Sequence, residues 1–257
     1  MEQLLLCKST LNSQKGVTLI EMAVVVSIIA LLLAGTLGGT SLYQASKLRR
    51  LSTEIIQYET AIRTFKEEYH YWPGDFNQAE TFWTSPSTGV TITNGNGDGD
   101  VSWNATSLIE GEDHYAWAHL SEAELINGAY SGQITTASSV QYTVGVNVPR
   151  SEAFKDVTFS TFLNHVYVYG SKRGLSIRIA ALDGSGLPRS GDTLNAKQAQ
   201  SIDIKIDDGV ADTGKLIGFT DTAGQCIDNK WNAANNGTYL LSSNTTGCIL
   251  EWYITML

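Results

Sequence analysis

Hydrophobic and polar positions divide the chain into one long charge-free run and a patterned remainder. From Met22 to Ser46 no residue carries a charge. That is about 25 positions, enough to cross a hydrocarbon core of roughly 30 Å as a helix. Glu21 stands just ahead of the run, in the first turn of the predicted helix. Beyond the run, Leu48, Ile55, Ile62 and Tyr69 recur every seven residues, with Leu51, Tyr58 and Phe65 between them. This a/d stripe predicts that the helix continues to Tyr69 with one apolar face. Glu54, Glu59, Arg63, Lys66, Glu67 and Glu68 are assigned to the other face. A helix apolar all round in its first half and amphipathic in its second suits a membrane segment whose continuation packs on a globular head. Gly35, Gly38 and Gly39 interrupt the run and weaken the helix by about 1 kcal/mol each relative to alanine. They mark either a place to unwind or a surface for close helix packing.

Trp72-Pro73-Gly74-Asp75 is expected to end the long helix, because proline cannot continue it and glycine supplies the turn. A second helix is predicted from Glu112 to Ile126, with Trp117, Leu120, Ala123 and Ile126 facing the core and Asn127-Gly128 ending it. A third is predicted from Thr193 to Ile206, capped by Asp192. β-branched and aromatic runs predict strands at Val140–Val148, Val166–Tyr169, Leu175–Leu182, Thr238–Leu241 and Cys248–Ile254. The expected fold class is α+β: a long N-terminal α-helix, membrane-spanning in its first half, packed on a globular head with an antiparallel β-sheet.

The stretch Lys15-Gly16-Val17-Thr18-Leu19-Ile20-Glu21, set directly before the apolar run, resembles the amino-terminal signature of type IV pilins and type II secretion pseudopilins. The likeness extends to about Tyr69. It implies that a prepilin peptidase cuts after Gly16 and that Val17, where the family most often has phenylalanine, is N-methylated. It also implies that Glu21 is the assembly residue. The organisation that follows is a leader at 1–16 and a transmembrane and assembly helix at 17–46. The amphipathic continuation then covers 47–70, and an α+β head covers 71–257. Cutting after Gly16 creates an α-amine, cationic at neutral pH. In low dielectric it attracts the Glu21 carboxylate strongly, within one chain or between neighbours. A snorkelling carboxylate with no partner is the competing reading. An ordinary secretory signal differs, because its apolar region precedes the cut. Lys47, Arg49 and Arg50 follow the apolar run and run against the positive-inside bias.

Composition sharpens this picture. The chain is 42% hydrophobic and 17% charged with a net charge of −9. The leader carries Lys8, Lys15 and Glu2, so its removal takes the net charge to −10. Such a surface disfavours nucleic acid as a partner. Cys7 leaves with the leader, and the remaining pair, Cys226 and Cys248, suggests a disulfide in an exported domain. Two buried free thiols are the alternative. The bridge resembles the disulfide-bounded carboxy-terminal region of many pilins.

In Thr93–Val101, oxygen-bearing residues alternate with glycines. Asn94, Asn96, Asp98, Gly99 and Val101 match positions 1, 3, 5, 6 and 8 of an EF-hand or dockerin-type loop. Asn94, Asn96, Asp98 and Asp100 are the candidate Ca²⁺ ligands. Ala105 stands where the bidentate glutamate belongs, so that ligand would come from Glu110, Glu112 or Asp113. A polar glycine-rich loop is the alternative. A second acidic cluster, Asp203, Asp207, Asp208 and Asp212, lies before the last predicted strands, where the resemblance implies calcium in pseudopilins. A solvated acidic turn is the other reading.

No nucleophile elbow, P-loop, His-Glu-x-x-His or Cys-x-x-Cys occurs. The histidines, His70, His114, His119 and His165, are scattered. The chain is therefore expected to be a structural subunit of a type IV pilus or type II secretion pseudopilus, not an enzyme. Its expected partners are other pilin or pseudopilin subunits, prepilin peptidase and an inner-membrane assembly platform. It is expected to sit single-pass in the inner membrane with a periplasmic head, then in the fibre. A minor tip subunit acting as an adhesin or calcium-dependent binding module is the alternative, given the aromatic-rich loops around Trp72, Trp83 and Trp103. Gly16→Ala should leave the chain at full size in gels of membrane fractions; normal processing of this variant would remove the resemblance's main implication.

Overall fold

The computed structural model describes residues 16–87, 89, 92–102, 111–133, 142–162, 174–188, 193–220, 226–228 and 237–254. The chain divides into two units, Met1–Ala45 and Ser46–Leu257. One helix, α1 (Leu19–Tyr69), contributes to both.

In the first unit α1 carries the charge-free run and continues through the glycines at 35, 38 and 39. Val24, Ile28, Leu31, Leu32 and Leu33 are exposed, and none of the most apolar stretch is buried. By length and composition this segment can cross a membrane.

In the second unit α1 buries the predicted stripe. Leu51, Ile55, Ile62 and Phe65 are fully buried, and Leu48, Tyr58 and Tyr69 pack against the same core. Two residues assigned to the polar face, Glu54 and Glu59, are buried as well. Glu54 accepts from Ser151 Oγ at 2.6 Å and Glu152 N at 2.9 Å. Glu59 accepts from Trp252 Nε1 at 2.7 Å and Arg63 Nε at 2.8 Å, and lies 3.3 Å from Lys215 Nζ. These carboxylates flank the stripe, so segments far along the chain close over them and supply the donors that burial requires. The helix ends at Tyr69 as expected, just ahead of Trp72-Pro73-Gly74. His70 adopts φ 62°, and its N–H bonds Lys66 O at 3.0 Å.

Helix α2 (Ala79–Phe82) is a single turn, followed by α3 (Glu112–Glu122). Every residue of α3 from Glu112 to Ser121 is buried. Trp117 and Leu120 reach the core as expected, while Ala123 caps the helix and Glu124 turns away at φ 57°. Helix α3 thus stops before the predicted Ile126. Helix α4 (Ala196–Ile206) opens on a capping box: Asn195 accepts from Gln198 N while Gln198 accepts from Asn195 N. Asn195 is therefore the cap, and the expected Asp192 lies outside the described residues.

Among the described residues the antiparallel sheet has five strands: β1 (Val157–Phe162), β2 (Ser176–Ala181), β3 (Leu194–Asn195), β4 (Leu216–Thr220) and β5 (Thr246–Tyr253). Strand β5 is central. It pairs β2 and β3 along one edge and β4 along the other. Strands β2 and β5 match the runs predicted from β-branched patterning. The expected strand at Val166–Tyr169 lies outside the described residues. The described part of the expected Val140–Val148 strand is a turn, with Gly145 at φ 81°. Thr238–Leu241 contributes only an isolated bridge, Tyr239 to Ile227.

Cys226 and Cys248 form a disulfide across 22 residues, with Cα atoms 4.8 Å apart. It ties the segment after β4 to the central strand. In the chain-entropy model such a loop is worth about 3 kcal/mol. Replacing both cysteines by serine should lower the unfolding free energy of the second unit by about that amount. Urea denaturation of the detergent-solubilised chain measures this, and an unchanged midpoint would show the bridge to be energetically idle.

Candidate functional sites

Three places gather the residues singled out from the sequence, one in the first unit and two in the second. In the first, Thr18 stands at the mouth of α1. Its Oγ1 accepts from Glu21 N at 3.3 Å, and Glu21 Oε2 accepts from Thr18 N at 2.8 Å. Thr18 Oγ1 also donates to Glu21 Oε2 at 2.7 Å. This reciprocal pair is a capping box that satisfies helix-start N–H groups. Thr-x-x-Glu before an apolar run announces such a box, and reading Glu21 only as an isolated charge overlooks it. The carboxylate also sits where the helix dipole favours negative charge. Gly16 and Val17 precede the box in open, exposed backbone. A Cβ added at Gly16 would meet nothing within 4 Å. Lys15 and the rest of the leader lie outside the described residues.

In the second unit, three segments meet at backbone contact: the turn after α1, the loop 92–102 and the start of α3. A Cβ at Gly95 would lie 2.2 Å from Gly74 O, and one at Gly74 would lie 2.3 Å from Glu112 O. Only glycine permits this approach, and Gly74 also has φ 98°. His119 pins the same junction from within α3. Its Nε2 donates to Thr93 O at 2.9 Å, and its Nδ1 accepts from Gly74 N at 3.0 Å. That pairing fixes a neutral tautomer, and burial drives its pKa down to about 4.

This junction brings one carboxylate oxygen each from Asp75, Asp98 and Glu112 within 4.8 Å of one another. Glu112 accepts from Asn96 N at 2.9 Å and from Ser102 N at 2.9 Å, holding both arms of the loop. Asp75 Oδ2 accepts from Gly99 N at 3.1 Å. Burial pushes the Asp75 carboxyl up, with a further push from Asp98, and burial likewise raises Glu112. Of the four ligands proposed from the loop spacing, Asp98 joins the cluster. Asn94 Oδ1 instead accepts from Glu80 N at 3.0 Å, and Asn96 Oδ1 accepts from Asp98 N at 2.8 Å. Asp100 Oδ1 accepts from Val101 N at 2.9 Å. Of the three residues considered for the missing glutamate, Glu112 takes part. Asp113 instead engages Tyr142 Oη and His114 Nδ1. Glu110 lies outside the described residues. Asp75 was not foreseen, because it comes from a different segment and falls outside any loop template.

In the second acidic cluster, Asp203, Asp207 and Asp208 likewise bring one carboxylate oxygen each within 4.8 Å of one another, without Asp212. Asp203 accepts from Gly209 N at 3.0 Å and Tyr239 Oη at 2.8 Å. Asp207 accepts from Lys215 N and Leu216 N, and Asp208 from Val210 N and Thr213 Oγ1. Asp212 accepts from Gly237 N at 2.7 Å. These carboxylates tie turns together. Burial raises Asp203 to about 6.

A family model described as the prokaryotic N-terminal methylation motif matches residues 11–37. This is the signature of type IV pilins and pseudopilins. No curated protein and no solved structure matches the chain. The motif implies processing by prepilin peptidase and assembly with other pilins. It points to a structural protein, and with the long apolar helix it fits membrane anchoring.

His119 gives the second unit a defined acid sensitivity. Its folded pKa, about 4, lies below the unfolded value near 6.5. Its contribution is therefore present above pH ~6.5 and is lost as pH falls toward ~4, on the order of 3 kcal/mol in all. Asp203 acts with the opposite sign, favouring the fold below its unfolded pKa and losing that effect as pH rises through about 6. The difference between wild type and His119→Gln isolates the histidine. Urea titrations from neutral pH to about 4 should show a shallower loss in the variant; parallel curves would contradict the neutral buried imidazole.

Proposed function

We propose that the chain is a membrane-anchored structural subunit of a filament of the type IV pilus or type II secretion pseudopilus class. Prepilin peptidase removes residues 1–16, and Val17 becomes the methylated terminus. Before assembly, α1 crosses the inner membrane once with the head in the periplasm. The Cys226–Cys248 bridge supports an oxidising compartment for the head. On assembly the apolar half of α1 leaves lipid and packs among equivalent helices of other subunits. Such contacts are head-to-tail and do not close, so they propagate into a fibre.

The observation that carries this reading is a capped carboxylate at the head of an exposed, charge-free helix. A charge next to a hydrocarbon-length segment costs roughly 2.5–3.5 kcal/mol if it enters the bilayer centre. A helix cap alone does not require it, because serine, threonine or asparagine before the helix serves as well. A methylated α-amine of a neighbouring subunit supplies the missing partner. Pairing to that amine sets the axial stagger between subunits, while the apolar faces supply the packing.

Two substitutions separate the cap from the charge. Glu21→Gln keeps an acceptor for Thr18 N but removes the negative charge; Glu21→Ala removes both. Both variants should be processed and inserted, and both should fail to form fibres, read by shearing and electron microscopy of cells that express the assembly machinery. Normal fibre yield from Glu21→Gln would reduce Glu21 to a cap.

A further inference from the structure

The junction of the turn after α1, the loop 92–102 and α3 holds more negative charge than its own partners satisfy. Asp75 is fully buried, and its Oδ1 has no hydrogen-bond partner among the described residues. A buried carboxylate oxygen left unpaired is costly, and native proteins rarely keep one without a reason. None of the ion pairs among the described residues reaches Asp75, Asp98 or Glu112. The opposite charge that this cluster calls for is therefore not a lysine or arginine in the described structure.

The donor set identifies what fits. All three groups offer carboxylate oxygens, the ligand chemistry of hard cations, with no imidazole or thiolate among them. Oxygens that lie within 4.8 Å of one another can share one hard cation, and calcium's flexible coordination at about 2.4 Å accommodates an irregular, discontinuous set. Magnesium, at about 2.1 Å, draws its ligands closer and keeps more water. Glu112 Oε1 accepts a single bond, from Asn96 N, and so keeps acceptor capacity for a cation. The same holds for Asp98, whose Oδ1 accepts from Asp100 N and whose Oδ2 accepts from Asn96 Nδ2.

We propose that Asp75, Asp98 and Glu112 bind one calcium ion, which joins the loop 92–102 to the turn after α1 and to the start of α3. The ligand set is discontinuous: two carboxylates come from outside the loop. Glu112 supplies what Ala105 lacks, and the unpartnered oxygen of Asp75 faces the ion. Bound calcium ties the end of the amphipathic helix to the buried helix of the head. The proposal is independent of the filament reading, since either can fail without the other.

The processed full-length chain in detergent provides the test. Isothermal titration with calcium chloride after chelator treatment should show one site with affinity in or below the range of extracellular calcium modules, about 10⁻⁴–10⁻³ M. Hydrogen exchange at Gly97–Val101 should slow on calcium addition, and the melting temperature should rise. Asp75→Asn removes the charge while keeping an acceptor for Gly99 N, and should weaken binding by about a hundredfold, since even supporting residues around a metal cost 10–100-fold. Asp98→Asn lies at an exposed position and serves if Asp75→Asn does not fold. Glu67→Gln, on the exposed face of α1, should leave binding unchanged. Absence of calcium heat and of any melting shift overturns the site. So does wild-type affinity in a folded Asp98→Asn or Asp75→Asn chain, and so does an equal response to magnesium.

Discussion

One helix faces two different solvents. The first part of α1 has no charge and no cover, and the second part is buried along one stripe by a head of some two hundred residues. No single aqueous arrangement satisfies the first part, because its apolar side chains point outward all round. The hydrophobic effect therefore demands lipid or other helices around it. The same effect holds the second part in place, where Leu51, Ile55, Ile62 and Phe65 anchor the head. The boundary conditions of the molecule follow from that contrast, and Glu21, which caps the helix start with Thr18, is the one charge in the apolar part.

The head adds polar anchors to the apolar stripe. Glu54 and Glu59 are held by Ser151, Glu152, Trp252 and Arg63, so both sides of the stripe are stitched to the sheet layer and its preceding loop. Truncating either carboxylate leaves buried donors unpaired, whereas Glu67 and Glu68 are exposed and their truncation strips no buried donor. The central strand β5 closes this arrangement. It carries Trp252 to Glu59 and Cys248 to Cys226, and thereby connects the segment after β4 and the central strand to the long helix.

Much of this was legible in the residues because it is local and periodic. The seven-residue stripe, the charge-free run, strands β2 and β5 and the cysteine pair all announce themselves within short windows. What escaped depends on distant partners. Glu54 and Glu59 read as solvent-facing because their donors lie about a hundred to two hundred positions away. Strand β1 shows strand-like alternation only over Val157-Thr158-Phe159-Ser160, too short a run to stand out, and β4 carries Gly218, which weakens a strand signal. The loop 92–102 suggested a cation, but a template confined to one segment could not include Asp75. The Thr18–Glu21 box was present in plain sequence and was overshadowed by the charge's other role.

The filament account rests on the chain's working amino terminus. Mass spectrometry of the amino-terminal peptide from native membranes or sheared fibres measures it directly. The account predicts a chain that starts at Val17 and carries one added methyl group on its α-nitrogen. A chain that still starts at Met1 in working assemblies would contradict it.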